Sequence, residues 1–187
     1  MKRLINIVLF MSLSLVADNE ISVTQSGNSA AIDLEQQGGS NLIGGTSAET
    51  GSMTALDLDG VSMILDINQI GASNVFRSDA IDGDNFTGFF EFTGDSNVFD
   101  ILMDSTGLID SDYINMNINV TGSSNTFDLA VAEDDDASYL DLDWIITGGS
   151  NAFDFDIDYA NAINYVDVNG SSNTINFSGS GYAGTTS

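Results

Sequence analysis

The feature that most limits what this chain can fold into is a motif written six times. Gly-x-Ser-Asn, followed by one residue and then a large apolar one, begins at Gly38, Gly71, Gly94, Gly122, Gly148 and Gly170. The spacings between these glycines are 33, 23, 28, 26 and 22 residues. A motif recurring every few tens of residues marks a repeat architecture, in which each unit buries its apolar face only by stacking on its neighbours.

The residues flanking the motif repeat too. Two residues after each asparagine stand Ile43, Phe76, Phe99, Phe127, Phe153 and Ile175. Four before each glycine stand Leu34, Ile67, Phe90, Ile118, Trp144 and Val166, and two before it Gln36, Gln69, Phe92, Val120, Ile146 and Val168. The positions between are mostly polar, including Asp33, Asp66 and Asp143 on one side and Asp100, Asp128 and Asp154 on the other. Alternation of period two on both sides of a Gly/Ser/Asn turn signal predicts strand, tight arc, strand, with one face inward. Glycine reaches positive φ without steric cost, and Ser and Asn bond nearby backbone in turns. The fold expected is all-β, a β-solenoid of about six to seven coils stacked at about 4.8 Å.

Composition supports an ordered, exported chain. Residues 1–17 read as a signal peptide, with Lys2 and Arg3 before the apolar stretch Leu4 to Val16 and small residues near Ala17. That stretch is shorter than the roughly 20 residues a membrane helix needs, so no membrane span is expected in the mature chain. Cleavage would leave 28 acidic residues and Arg77 as the one cation, a formal charge of 1 − 28 = −27. Such a surface repels phosphates, which excludes nucleic acid as a partner, and it does not favour anionic lipid. With no Cys and no His, there is neither a disulfide framework nor the usual transition-metal ligand set. Hydrophobic residues at 42% on a regular alternation argue against disorder. The absence of Pro suits a backbone whose donors are used in ladders.

Residues 18–178 are expected to form one repeat domain, and 179–187, rich in Gly, Ser and Thr, a flexible tail. Gln25-Ser26-Gly27 reads as the first arc of a capping coil. Asn41 to Ser52 reads as a long loop, and Gly60, eleven residues before Gly71, as the opposite corner of a coil, which explains the long first spacing. Acidic loops at Asp104 to Asp112, Glu133 to Ser138 and Asp158 to Asn161 are placed together on one corner.

Gln36-x-Gly38-x-x-Asn41 and Gln69-x-Gly71-x-x-Asn74 resemble the curlin repeat of bacterial curli fibre subunits. The likeness of Gly and Asn covers about Ala30 to Phe177; the glutamine is replaced by Phe92, Val120, Ile146 and Val168 in the four later coils. The resemblance implies export, assembly outside the outer membrane into amyloid-like fibres, dedicated export and nucleation partners, and service in adhesion and biofilm.

The residues singled out carry structural work first. The repeat turns are Gln36, Gly38, Asn41, Gln69, Gly71, Asn74, Gly94, Asn97, Gly122, Asn125, Gly148, Asn151, Gly170 and Asn173. Gln36, Asn41, Gln69 and Asn74 fit stacked amide ladders; for the later asparagines the preferred reading is that each closes its own turn, although the two arrangements are compatible. Phe76, Phe99, Phe127 and Phe153 are assigned to one interior column. Asp100, Asp128 and Asp154 share an outward column, with Arg77 next in line. Carboxylates about 5 Å apart in water repel by roughly 0.8 kcal/mol per pair, less in salt. This column reads as a solvated face that opposes aggregation, or else as a place for Ca²⁺, which also suits the Glu133 to Asp136 loop. No EF-hand loop or nonapeptide calcium array is present, so no cofactor is assigned. Thr93, Thr121 and Thr147 form a short column of β-formers at strand ends. One Arg and no His leave no nucleophile–base pair or oxyanion clamp to assemble, and no catalytic residue is assigned. Two functions stay open: a secreted fibre subunit that self-associates by strand stacking, and a soluble, acidic surface adhesin with optional calcium dependence.

Overall fold

A computed structural model describes residues 20–44, 56–103, 113–131, 139–158 and 162–180. The expected leader, the 45–55 segment, most of the acidic corner loops and the tail beyond Ser180 lie outside the described residues. Every described element is a strand, and all strand pairing is parallel.

The chain begins with β1 (Glu20–Ile21) and β2 (Thr24–Ser26), then β3 (Ala31–Gln37), β4 (Leu42–Ile43) and β5 (Leu56–Asp59). Regular coils follow, each pairing a strand before the arc with one after it. They are β6 (Ile64–Ile70) with β7 (Val75–Asp82), β8 (Thr87–Thr93) with β9 (Val98–Met103), β10 (Ile114–Thr121) with β11 (Thr126–Val131), and β12 (Leu140–Thr147) with β13 (Ala152–Asp158). The last described strands are β14 (Ala162–Asn169) and β15 (Thr174–Ser180), so Gly179 and Ser180 belong to a strand.

One sheet stacks β3, β6, β8, β10, β12 and β14 in that order; the other runs β1, β4, β7, β9, β11, β13 and β15, with β5 alongside β7 and β2 alongside β5. The architecture is therefore a β-solenoid, as the alternation predicts. Its length differs from the expectation of six to seven coils. About four turns are complete, with both strands sandwiched between neighbours on both sheets: β6–β7, β8–β9, β10–β11 and β12–β13. A motif copy specifies an arc, but an arc makes a full coil only when both flanking strands are unbroken and covered. The 45–55 segment separates β4 from β5, β1 and β2 are fragments, and β14 and β15 are stacked on one side only.

Inward positions of the two sheets meet in one apolar core that includes Leu34, Ile67, Phe90, Ile118, Trp144, Phe127 and Phe153. Outward positions alternate with them, as in β12, where Leu140, Leu142, Trp144 and Ile146 are buried and Asp143, Ile145 and Thr147 exposed. Each inward side chain removes apolar surface at about 25 cal/mol per Å². Shifting a strand by one residue would turn every one of them to water, which pins the register.

Candidate functional site

The six arcs stack on one another, and each residue of the motif has a distinct reason to be there. Gly71, Gly94, Gly122, Gly148 and Gly170 have φ between +136° and +155°. A Cβ on any of them would overlap the carbonyl oxygen of the glycine one coil earlier, such as Gly94 O beneath Gly122. Both conformation and close backbone approach therefore demand glycine. The serine two places on, from Ser40 to Ser172, sits in the left-handed region at φ near +60°. The arc's backbone donors reach the next coil: Gly94 N–H donates to Thr121 O at 2.8 Å and Ser96 N–H to Ser123 O at 3.0 Å.

After the arc the polarity reverses, and Thr126 N–H donates back to Asn97 O at 2.9 Å. The asparagine N–H lies at this reversal, and a side chain supplies its acceptor. Asn41, Asn74, Asn97, Asn125 and Asn151 each donate their main-chain N–H to Oδ1 of the next asparagine, at 3.0, 2.8, 2.9, 2.9 and 3.0 Å. Nδ2 of Asn151 and of Asn173 donates to Gly122 O and Gly148 O in the coil before. For the later asparagines the preferred reading, closure of the residue's own turn, is corrected: these bonds join successive coils along the whole stack.

Gln36 and Gln69 form a buried two-step ladder, with Gln69 Nε2 donating to Gln36 Oε1 at 2.9 Å. Phe92, Val120, Ile146 and Val168 continue that column in register. Phe92 stands where a third glutamine would donate, and Gln69 Oε1 has no hydrogen-bond partner among the described residues. Phe76, Phe99, Phe127 and Phe153 occupy one register column and are buried. Phe99 stacks on Phe127 at 4.2 Å between ring centroids and Phe127 on Phe153 at 5.1 Å; Phe92 from the facing sheet stacks on Phe99 at 3.8 Å.

On the outside, Arg77, Asp100, Asp128, Asp154 and Asn176 fall in one column. Arg77 Nε lies 3.8 Å from Asp100 Oδ2, and Asn176 Nδ2 donates to Asp154 Oδ1 at 3.0 Å. Asp128, in the middle, has its pKa raised by partial burial and then by Asp100, Asp154 and Asp156. Asp66 on the other sheet is likewise raised by burial and by Asp33 and Glu91. The described His, Cys, Asp and Glu residues form no group of three or more able to hold a metal ion; the Glu133 to Asp136 loop lies outside them. Thr93, Thr121 and Thr147 are neighbours in register, between Ile70 and Asn169.

The two ends of the stack differ. Near the N-terminus, Leu34 and Gln36 are each only 4% exposed. At the C-terminal coil inward columns lie open: Val166, last in the Leu34 column, is 36% exposed, and Ile175 and Phe177 on the other sheet 42% and 50%, while Val168, last in the Gln36 column, stays partly buried against the core. Beside them, Gly170, Ser172 and Asn173 form the last described arc, and their N–H groups occupy the positions that donate onward in every earlier arc. Edges of this kind accept a further strand. Ile175 reads from sequence as one more core residue; its exposure follows only from there being no described coil beyond it. A second glycine column was also half hidden. Gly60 stacks on Gly27, as expected for an opposite corner, and Gly83 extends the column. Its arc, Gly83-Asp84-Asn85-Phe86, departs from Gly-x-Ser-Asn, but the eleven-residue step from Gly83 to Gly94 matches those from Gly27 to Gly38 and Gly60 to Gly71.

No helix among the described residues is long and apolar enough to cross a membrane. Comparison with protein-family models, curated proteins and solved structures finds no match to this chain.

Proposed function

We propose that the mature chain is an exported structural subunit that polymerises by end-to-end β-strand stacking into a curli-like extracellular fibre of adhesion and biofilm matrix. The observation that carries this reading is the open C-terminal coil, where Val166, Ile175 and Phe177 expose a continuation of the core beside the edge strands β14 and β15. Exposed apolar surface beside strands that pair on one side only among the described residues favours a further coil of like pattern over water. The resemblance to curlin repeats supports the same reading, with self-association as the main contact and export and nucleation proteins as the other partners. Neither catalysis nor a cofactor is part of this function.

The acidic columns support a second reading, a soluble surface adhesin that stays monomeric and recruits Ca²⁺ to its carboxylates. Negative-stain micrographs and sedimentation of the mature chain separate the two. Fibres from the wild type, and none from a folded Phe177→Asp variant, support the fibre; a persistent monomer from both supports the adhesin.

A further inference from the structure

Tyr113 and Tyr139 lie side by side at the corner opposite the asparagine ladder, one coil apart. The register pairs Ile114 with Leu140, and Ile114 N–H donates to Tyr139 O at 2.9 Å, so the backbone holds the two residues adjacent. Their ring centroids are 6.0 Å apart with an interplanar angle of 31°. Tyr113 is 59% exposed and Tyr139 37%. Tyr113 has φ +60°, a position filled on earlier coils by Asn85 at +56° and Ser62 at +61°. Asparagine and serine tolerate the left-handed region; a bulky aromatic there is an outlier that points to a use for its side chain. The chain has no cysteine, so a covalent staple between coils has to come from other chemistry.

We propose that Tyr113 and Tyr139 are a site of oxidative cross-linking, forming an intramolecular dityrosine that ties the β10 coil to the β12 coil. The co-reactant is hydrogen peroxide used by a haem peroxidase. Each phenol gives up one electron and its hydroxyl proton to become a phenoxyl radical, and the two radicals join through their ortho carbons. The two ring hydrogens at the new carbon–carbon bond then return to the phenol oxygens. Two tyrosines lose two hydrogens in all, and one peroxide becomes two waters. The tilted, water-facing rings admit the oxidant, and their placement on adjacent coils with centroids 6.0 Å apart makes the coupling intramolecular rather than bimolecular. The linkage closes the loop between residues 113 and 139 and removes conformational freedom from the unfolded chain, as a disulfide would.

The test treats the mature protein with peroxidase and hydrogen peroxide, and reads dityrosine fluorescence and peptide mass maps. The expected product is a monomer joined between the peptides that contain Tyr113 and Tyr139. Its yield should not depend on protein concentration, and its thermal midpoint should be higher. Tyr113→Phe and Tyr139→Phe, with unchanged circular dichroism, should each abolish that link, whereas Tyr165→Phe should leave it intact. A link mapped to Tyr159, Tyr165 or Tyr182 instead, only intermolecular products, or no dityrosine at all would overturn the proposal.

Discussion

The main-chain N–H of Asn97 donates to Oδ1 of Asn125 at 2.9 Å, across one coil and 28 residues of sequence, and both side chains are buried. Truncation of Asn125 therefore strands a donor that belongs to another coil. Asn125→Ala should cost about 1–3 kcal/mol, the penalty of a buried donor left without an acceptor. Exposed Thr126→Ala should stay within about 0.5 kcal/mol. Urea unfolding of the two variants measures the difference; equal midpoints would contradict the role given to the asparagine.

The glycine column separates steric from conformational cost. Gly122→Ala meets both a φ of +142° and the carbonyl oxygen of Gly94, and should cost at least about 3 kcal/mol. Gly27 has φ +121° with open space around its Cβ position, so Gly27→Ala meets the conformational cost alone, about 1–3 kcal/mol, and should lose less than Gly122→Ala. Thermal melts of both variants decide the point.

Neighbouring residues on β11 test the register. Phe127 is buried between Phe99 and Phe153, while Thr126 is exposed. Phe127→Asp places a carboxylate in the core without a partner and should abolish cooperative unfolding. Thr126→Asp should fold. Equal loss of circular dichroism signal in the two would refute the inward–outward assignment.

Acid should stabilise part of this protein. The carboxyl of Asp128 has a pKa above its ordinary 3.8 in the folded state, because burial and then Asp100, Asp154 and Asp156 disfavour its charge. The folded chain therefore binds that proton more tightly than the unfolded one. The resulting stability is complete below about pH 3.8 and is lost as pH rises through the raised folded value. Asp128→Asn should raise the thermal midpoint at pH 7 by a few tenths of a kcal/mol equivalent, the scale of screened surface charges. The gain over wild type should vanish near pH 3.8. A gain that persists undiminished in acid would show that charge is not its cause.

Assembly should follow the same electrostatics. Stacking subunits of formal charge −25, or −27 should the expected leader be removed, brings acidic columns together, which salt, acid or divalent cations relieve. Fibre growth, followed by thioflavin and sedimentation, should be slow at neutral pH in low salt and faster near the pI of about 4.1. Ca²⁺ that binds specifically should outperform equal Mg²⁺; Ca²⁺ that only screens should match it. A chain that remains monomeric under every condition would defeat the fibre reading.

Local pattern carried much of the fold because a parallel solenoid repeats its environment at every coil. Phe99 and Phe127 share a column since both stand two residues after an asparagine, and Asp100 and Asp128 share another for the same reason. What alternation does not encode is which partner completes a bond. The N–H of Asn97 and the Oδ1 of Asn125 are 28 residues apart, and only stacking reveals that the side chain caps the neighbouring coil rather than its own turn. Nor does it encode layering: β4 and β5 both pair with β7 and so occupy one layer of the stack, although Ile43 and Leu56 are far apart in sequence.

From sequence alone followed the all-β class, the position of the arcs, and the inward face of each strand, because period-two alternation about a glycine turn has one solution in water. The tertiary structure decided the number of complete turns, the pairing of Gln69 with Gln36, the meeting of Tyr113 and Tyr139, and the exposure of Ile175 and Phe177. Those depend on what lies one layer above or below a residue, and that neighbour is set by the stacking of coils rather than by the residues beside it in the chain.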